Sequence, residues 1–329
     1  MWRGLCSWEG VRPLVSFVIP VKNDMLRLQQ CLSSITRNDY PRELIEIIVV
    51  DNDSTDGTAA AARSHGAIVI TSSAGTVAEL RNRGARAALG SIIAFADSDH
   101  QISSNWITSA VAVLSDATVA AAGAPYLPAP APNWVQAQYD GLRTRPARRE
   151  DTTWLGTGNL AIKRSVFERL GGFNTSLVAC EDVDLCNRIT GAGFRIVADP
   201  DLRSIHFGDP KTLKALFFGE LWRGRDNIRV TLAGPRTLRH LRSALIPIAE
   251  LALLIGGVAL MASGHVMLSV TCLAAAFLPT AVRAACIRKR LLRRGVIASL
   301  QALAFAVVFD LARAFAILAR GSHRARRVA

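Results

Sequence analysis

Three groups of acidic side chains stand out along the 329-residue chain: Asp51 and Asp53 in "VVDNDSTDGT", Asp97 and Asp99 in "FADSDH", and Glu181, Asp182 and Asp184 in "CEDVDLCNRI". A carboxylate such as Asp51 at the carboxyl end of a strand can accept a hydrogen bond from a nucleobase imide or a ribose hydroxyl. Asp97 and Asp99, two residues apart after the apolar run "SIIAFA", have the hard oxygen donors that Mg²⁺ or Mn²⁺ takes when it bridges protein to a diphosphate. Glu181, Asp182 and Asp184 sit where a helix begins. Each group also has a plainer reading. Ser54, Thr55 or Asp56 suits a helix N-cap, an Asp-x-Asp pair suits a turn, and acids in a first helical turn suit the macrodipole. His206 in "IHFGD" suits a half-buried strand, and the glycines of "GTGN" and "GGF" suit turns.

The elements that must position these groups follow from apolar periodicity. The runs "VSFVIPV", "IEIIVV", "AIVIT", "SIIAFA" and "VAAAGAPYL" read as strands, and "DMLRLQQCLSSI" and "TVAELRNRGARAAL" between them read as helices. Such alternation argues for an α/β layer around a mostly parallel sheet, with polar clusters at its carboxyl edge. The proline-rich "APYLPAPAPNW" and the basic "RTRPARRED" break the pattern and read as a mobile active-site loop or as an inert surface loop.

Charge divides the chain. Residues 1–202 hold 19 Lys or Arg against 21 Asp or Glu, whereas residues 203–329 hold 20 against 5. The basic excess flanks apolar stretches, "RTLRHLR" before and "RAACIRKRLLRR" after, and closes the chain in "RGSHRARR", which favours a membrane border and argues against a nucleic-acid partner. From Ser243 to Val282 there is no Lys or Arg and a single acid, Glu250. Split at "SGH", this stretch gives two membrane helices over about 244–263 and 265–282, followed by a basic loop at 283–294. The apolar 296–318, which carries Asp310 and Arg313, reads as a third membrane-associated helix, with a surface or re-entrant course slightly preferred over a third crossing. The domain division is then a tail at 1–14, a catalytic domain at 15–210, an amphipathic interfacial connector at 211–242 and a membrane region at 243–329. The six cysteines lack paired spacing and read as free thiols of a reducing compartment. The first residues lack the long apolar core of a secretory signal, so the catalytic domain is expected on the cytoplasmic side of a multi-pass cytoplasmic-membrane protein.

Taken in order, "VSFVIPVKN", "IEIIVVDNDSTDGT", "LRNRGARAALGSIIAFADSD", "TGNLAIKRSVFERLGGF", "EDVDLCNRI" and "HF" resemble glycosyltransferase family 2, the inverting nucleotide-sugar transferases of the GT-A fold, over roughly Val15–Phe207. The resemblance implies a Rossmann-like mixed sheet and a donor site in which Pro20 and Val21 line the nucleobase pocket and Asp51 contacts the base. Asp53 stands where the family often has Gly or Asn. Asp97 and Ser98 are implied on the ribose and diphosphate side, Asp99 and His206 as ligands of Mn²⁺ or Mg²⁺, and Asp182 as the general base. Gly158, Asn159, Gly172, Phe173 and Glu181 are candidates for positioning donor sugar or acceptor. Trp222, Arg223 and Arg225, in "FFGELWRGRDN" before the membrane region, are candidates for an acceptor headgroup or phosphate. The implied donor is a UDP-, GDP- or dTDP-linked sugar and the acceptor a lipid-linked or cell-envelope glycan. The competing readings are a non-catalytic nucleotide-sugar-binding scaffold, a polysaccharide synthase subunit, whose "QxxRW" signature is absent here, and a sugar-1-phosphate nucleotidyltransferase, whose glycine-rich phosphate loop is replaced by "IPVKND".

Overall fold

A computed structural model describes residues 12–73, 75–235, 238–292 and 294–318. Most of the amino-terminal tail and the basic segment "RGSHRARR" lie outside these residues. The described chain forms two compact units, one from the chain up to Ala129 together with Thr144–Gly208, the other from Pro130–Arg143 and the chain from Asp209 onward.

In the first unit, strands β1 (Val15–Val21), β2 (Ile45–Asp51), β3 (Ile68–Thr71) and β4 (Ile92–Ala96) are linked by helices α1 (Met25–Thr36), α2 (Thr58–Ser64) and α3 (Val77–Ala87). The short β5 (His100–Ile102) leads to α4 (Trp106–Leu114), β6 (Val119–Gly123) and β7 (Leu127–Pro128). Helix α5 (Trp134–Asp140) belongs to the second unit, and the chain then returns as β8 (Glu150–Thr152), β9 (Asn159–Lys163), α6 (Arg164–Arg169), α7 (Glu181–Gly191), β10 (Arg195–Ala198) and β11 (Ser204–His206). The main sheet has the order β3-β2-β1-β4-β9-β6-β10-β8, and a small second sheet has the order β5-β11-β7. Strands β3, β2, β1 and β4 are parallel, whereas β9 runs antiparallel to both β4 and β6, so the sheet is mixed.

β1 and β4 are buried along their whole length because helices cover both faces of the sheet, which is why these strands read as continuous apolar runs. One core layer packs Phe17, Leu28, Leu32 and Trp106, and the other packs Val18, Phe95, Phe167 and Phe173. Strand order reverses at β1, with β2 on one side and β4 on the other, and β4 stays in register with β1 only as far as Val18. Beyond that residue the two strands part, and ligands of such sheets bind in the crevice opened at this point. Pro20, which has no N–H to give to a ladder, stands where the pairing with β4 has ended.

The second unit is helical: α8 (Leu213–Arg223), α9 (Asn227–Ala233), α10 (Leu238–Ala262), α11 (Val266–Ala276), α12 (Leu278–Arg290) and α13 (Val296–Leu318) follow α5. Among the described residues three helical stretches are long and apolar enough to cross a membrane, Leu241–Ala262, Val266–Arg290 and Val296–Leu318. The segment expected as a basic loop is helical as far as Arg290. Lys and Arg are good helix formers, and Arg288, Lys289 and Arg290 in the last turn complement the negative end of the macrodipole.

Candidate active site

The polar cluster after β2 does more than start a helix. Ser54 Oγ accepts from Asn23 N at 2.8 Å, Asn23 Oδ1 accepts from Thr55 N at 2.8 Å, and Asp56 Oδ2 accepts from Met25 N at 3.1 Å. These bonds lace the loop after β2 to the loop after β1. The N-cap position of α2 is Gly57, at φ +87°, with no side-chain cap, so the expectation that Ser54, Thr55 or Asp56 occupies it is corrected. Asp56 instead accepts from Thr58 N, in the first turn, at 3.0 Å. Between the laced loops Asp51 is 2% exposed; its Oδ2 accepts from Ser54 N at 3.2 Å, and its Oδ1 is buried with no hydrogen-bond partner among the described residues. An orphaned carboxylate oxygen is costly, and a donor N–H brought by a ligand would satisfy it. Asp53 is exposed and holds a left-handed conformation at φ +56°, which Asp tolerates better than most residues.

After β4, Asp97 and Asp99 have separate partners. Asp97 Oδ1 accepts from Arg81 Nη2 at 2.7 Å, and Arg81 Nη1 donates to Glu181 Oε1 at 2.6 Å. Arg81, on α3 and 4% exposed, therefore ties the end of β4 to the first turn of α7. Ser98 Oγ donates to Asp24 Oδ2 at 2.8 Å, and Asp24 is itself paired with Arg27 at 2.7 Å. Asp99 Oδ2 lies 3.4 Å from His206 Nε2, and its Oδ1 lies 3.9 Å from His100 Nε2. Burial opposes ionisation of Asp99, but the hydrogen bond and charge of His206, with His100 and Arg27 beyond, hold its carboxyl well below the usual carboxylate range.

The Asp99, His100 and His206 ligand atoms all lie within 4.8 Å of one another. The small sheet makes this possible, because β11 runs antiparallel to β5 with His206 opposite His100. Ser204 Oγ fixes His100 through Nδ1 at 2.5 Å, and Tyr126 rests its ring edge against His100 with centroids 4.5 Å apart. Glycines keep the space clear: a Cβ on Gly158 would stand 2.7 Å from Asp97 Oδ2 and 2.8 Å from His100 Nε2, and one on Gly208 would fall on Asp99 Oδ2. A carboxylate with two imidazoles in a cradle closed to side chains fits a divalent cation of the Mn²⁺ type, and fits Mg²⁺, which prefers oxygen throughout, less well.

Helix α7 opens at Cys180, which adopts φ +63°, and its first turn carries Glu181, Asp182 and Asp184. Asp182 is half-buried. Desolvation, reinforced by the neighbouring Glu181 charge, pushes it up to about 7, against the Val183 N–H, the Arg81 charge and a hydrogen bond from the Trp154 side chain. A carboxyl poised there can take a proton near neutral pH.

Other candidates are placed differently. Asn159 is turned into the core, where Oδ1 accepts from Trp106 Nε1 at 2.7 Å and Nδ2 donates to the carbonyls of Ala124 and Leu202 at 2.9 and 2.8 Å. Its amide is fully engaged, so the expectation that it positions a substrate is corrected. Phe173 is core as well, edge-on to Phe95 at 4.9 Å and beneath Arg81 at 5.8 Å. Gly172 needs its left-handed φ of +73°, and a Cβ there would press on Asn82 Oδ1, which accepts from Phe173 N at 2.8 Å. Trp222, Arg223 and Arg225 belong to the second unit. There Arg223 Nη1 donates to the buried Glu220 Oε1 at 3.0 Å and its guanidinium lies over Tyr139, while Trp222 stays exposed. Sequence reasoning missed Arg81 and His100. Of these, His100 left a trace, directly following the Asp-x-Asp pair.

Residues 16–171 match the family model described as Glycosyl transferase family 2. The glycosyltransferase AglE of Haloferax volcanii is 29% identical over 243 residues, covering 69% of this chain and 77% of that protein. The pre-mycofactocin glycosyltransferase of Mycobacterium tuberculosis is 28% identical over 266 residues, covering 75% of this chain and 51% of that protein. Among solved structures, the mannosyltransferase PcManGT from Pyrobaculum calidifontis, in complex with GDP-Man and Mn²⁺, matches with a TM-score of 0.61 at 21% identity, covering 92% of this chain and 88% of that one. Residues 1–349 of S. aureus TarS match with a TM-score of 0.51 at 16% identity, covering 70% and 68%. These structural likenesses show the fold, a mixed α/β layer of the GT-A type.

Proposed function

We propose that this chain, a member of glycosyltransferase family 2, moves a single sugar from a nucleoside-diphosphate donor to a hydroxyl of a lipid-linked or cell-envelope glycan, with inversion at the anomeric carbon. The observation that carries the reading is the Asp97–Arg81–Glu181 chain, with contacts of 2.7 and 2.6 Å, because it couples the strand-end acids to the turn that holds Asp182. A donor held at the crevice and a base on α7 are thereby kept in fixed register.

In this reading Pro20, Val21 and Asp51 receive the nucleobase, with the orphaned Oδ1 of Asp51 as acceptor for its N–H. Asp97 and Ser98 face the ribose and diphosphate. Asp99, His206 and His100 would hold the divalent cation. When bound, that cation supplies positive charge against which a diphosphate leaving group can develop. Asp182 takes the proton of the acceptor hydroxyl as its oxygen bonds to the anomeric carbon. The bond from that carbon to the diphosphate breaks on the opposite face, and its electron pair departs with the nucleotide. GDP-Man and Mn²⁺ in PcManGT, to which the fold is similar, support the donor and cation classes. The apolar helices of the second unit support membrane association and hence a membrane-borne acceptor; in this reading the basic residues flanking them keep the catalytic unit on the cytoplasmic side.

The test is donor binding by calorimetry across GDP-, UDP- and dTDP-sugars with Mn²⁺. One donor should bind, and EDTA or Asp99→Ala should each weaken it by about 10–100-fold, the usual cost of disturbing a metal site. Affinity indifferent to both would remove the metal assignment.

A further inference from the structure

Arg27, in the first turn of α1, is a cation that the mechanism above leaves unused. A positive charge is disfavoured at that end of a helix, so stabilising α1 does not account for it. Asp24 stands at the N-cap position of the same helix, yet makes no side-chain cap bond. Its carboxylate is engaged elsewhere: Oδ1 accepts from Arg27 Nε at 2.7 Å, and Oδ2 accepts from Ser98 Oγ at 2.8 Å. The backbone of Asp24 is held as well, its N donating to Thr58 Oγ1 at 3.2 Å and its O accepting from Leu28 N at 3.0 Å. The guanidinium is thus pinned by its Nε edge, through Asp24, to the residue between Asp97 and Asp99. Its Nη1 lies 3.8 Å from Asp99 Oδ2, the same oxygen that lies 3.4 Å from His206 Nε2. The Arg27 side chain is 46% exposed, and an exposed ion pair three residues apart on a helix adds little to stability.

We infer that Arg27 is an arm of the donor site that binds the nucleotide's diphosphate once a divalent cation has taken Asp99. The inference rests on the reading of Asp99 and His206 as cation ligands and of Asp97 and Ser98 as the diphosphate side. Arg27 and a divalent cation compete for Asp99 Oδ2, because each brings positive charge to that one carboxylate oxygen. A cation that takes the oxygen leaves Nη1 without its carboxylate, while the bond to Asp24 keeps the guanidinium in place. The released N–H groups then lie beside whatever anion the cation holds, and a guanidinium fork matches the paired oxygens of a phosphate. The other arginine at this edge is less free to do so. Arg81 has its two terminal nitrogens committed to Asp97 and Glu181, at 2.7 and 2.6 Å.

The experiment is calorimetry on the full chain in lipid nanodiscs, comparing the wild type with Arg27→Gln and Arg27→Lys. Mn²⁺ is titrated alone, and then GDP, GMP, UDP and UMP are titrated at saturating Mn²⁺. Mn²⁺ alone should bind about three- to tenfold tighter to Arg27→Gln, because a competing charge beside Asp99 is gone. Arg27→Lys, which keeps the charge, should stay within about twofold of the wild type. For the base that the wild type binds, its preference for the diphosphate over the monophosphate should shrink at least about fivefold in both variants, since Lys lacks the fork. A merely structural arginine would not tighten Mn²⁺ and loosen the diphosphate at once. Mn²⁺ affinity unchanged or weakened in Arg27→Gln, or an unchanged diphosphate preference, would overturn the inference alone. A wild type that binds none of the four nucleotides would overturn the donor reading, and the inference with it.

Discussion

Three buried acids of the helical unit are closely partnered, and two acids at the edge of the mixed sheet are not. In the helical unit, Asp209 is gripped by both terminal nitrogens of Arg143, Glu220 by Tyr139, Arg223 and Arg313, and Asp310 by Thr280 and Arg283. Each of these acids is matched, as burial of a charge requires. At the edge of the mixed sheet, Asp51 keeps an oxygen without a partner, and Asp182 sits beside another carboxylate with its own pushed up to about 7. Matched acids hold a fold together. Mismatched acids are costly to keep and mark the place where a ligand or a proton completes the set.

This contrast can be broken in several places. The largest effect is expected from Asp182→Asn, which should lower transfer by about 10³-fold, in the range of a lost general base. The same substitution should raise the thermal midpoint at pH 8. A carboxyl whose folded pKa lies above its unfolded one destabilises the protein progressively as pH rises from the ordinary carboxylate range through about 7, and the amide removes that cost. Next comes Arg81→Met, which strands Asp97 and Glu181 together and should destabilise the catalytic unit by about 3–5 kcal/mol, as loss of one partner of a buried pair does. Differential scanning fluorimetry reads this directly. Arg143→Met should cost a comparable amount by stranding Asp209, but should leave donor affinity within about twofold. The smallest effect should come from Glu250, 4% exposed with neither carboxylate oxygen hydrogen-bonded. Glu250→Gln should leave stability unchanged or raise it by up to about 1 kcal/mol, since the amide keeps the shape and removes a buried acid that has no partner. A large loss there would show that the helical unit also contains a mismatched acid with a function.

Much of the catalytic unit was legible in the sequence because doubly covered strands are continuous apolar runs and the crevice lies at their carboxyl ends. "VSFVIPV" became β1 residue for residue, and Asp51 and Asp97 stand at or just after the ends of β2 and β4. What escaped depends on partners far away in the chain. Arg81 and Glu181 are 100 residues apart, and nothing in "LRNRGARAAL" says which arginine turns inward. His100 joins Asp99 and His206 only because β11 lies against β5, strands of three residues each that are too short to show periodicity. Asn159 misled for the converse reason: a polar residue in a glycine-rich loop looks available until the core groups that use its amide are known. The helical continuation to Arg290 was hidden because a basic run reads equally well as a loop or as the end of a helix.

The central claim, that a desolvated carboxyl on α7 is the base of a glycosyl transfer, is tested most directly by the pH dependence of kcat/KM for transfer, measured on the wild type and on Asp182→Asn. The wild-type profile should fall tenfold per pH unit below an apparent pKa of about 7, and the residual activity of Asp182→Asn should show no such limb. An unchanged acid limb in the variant would place the base elsewhere.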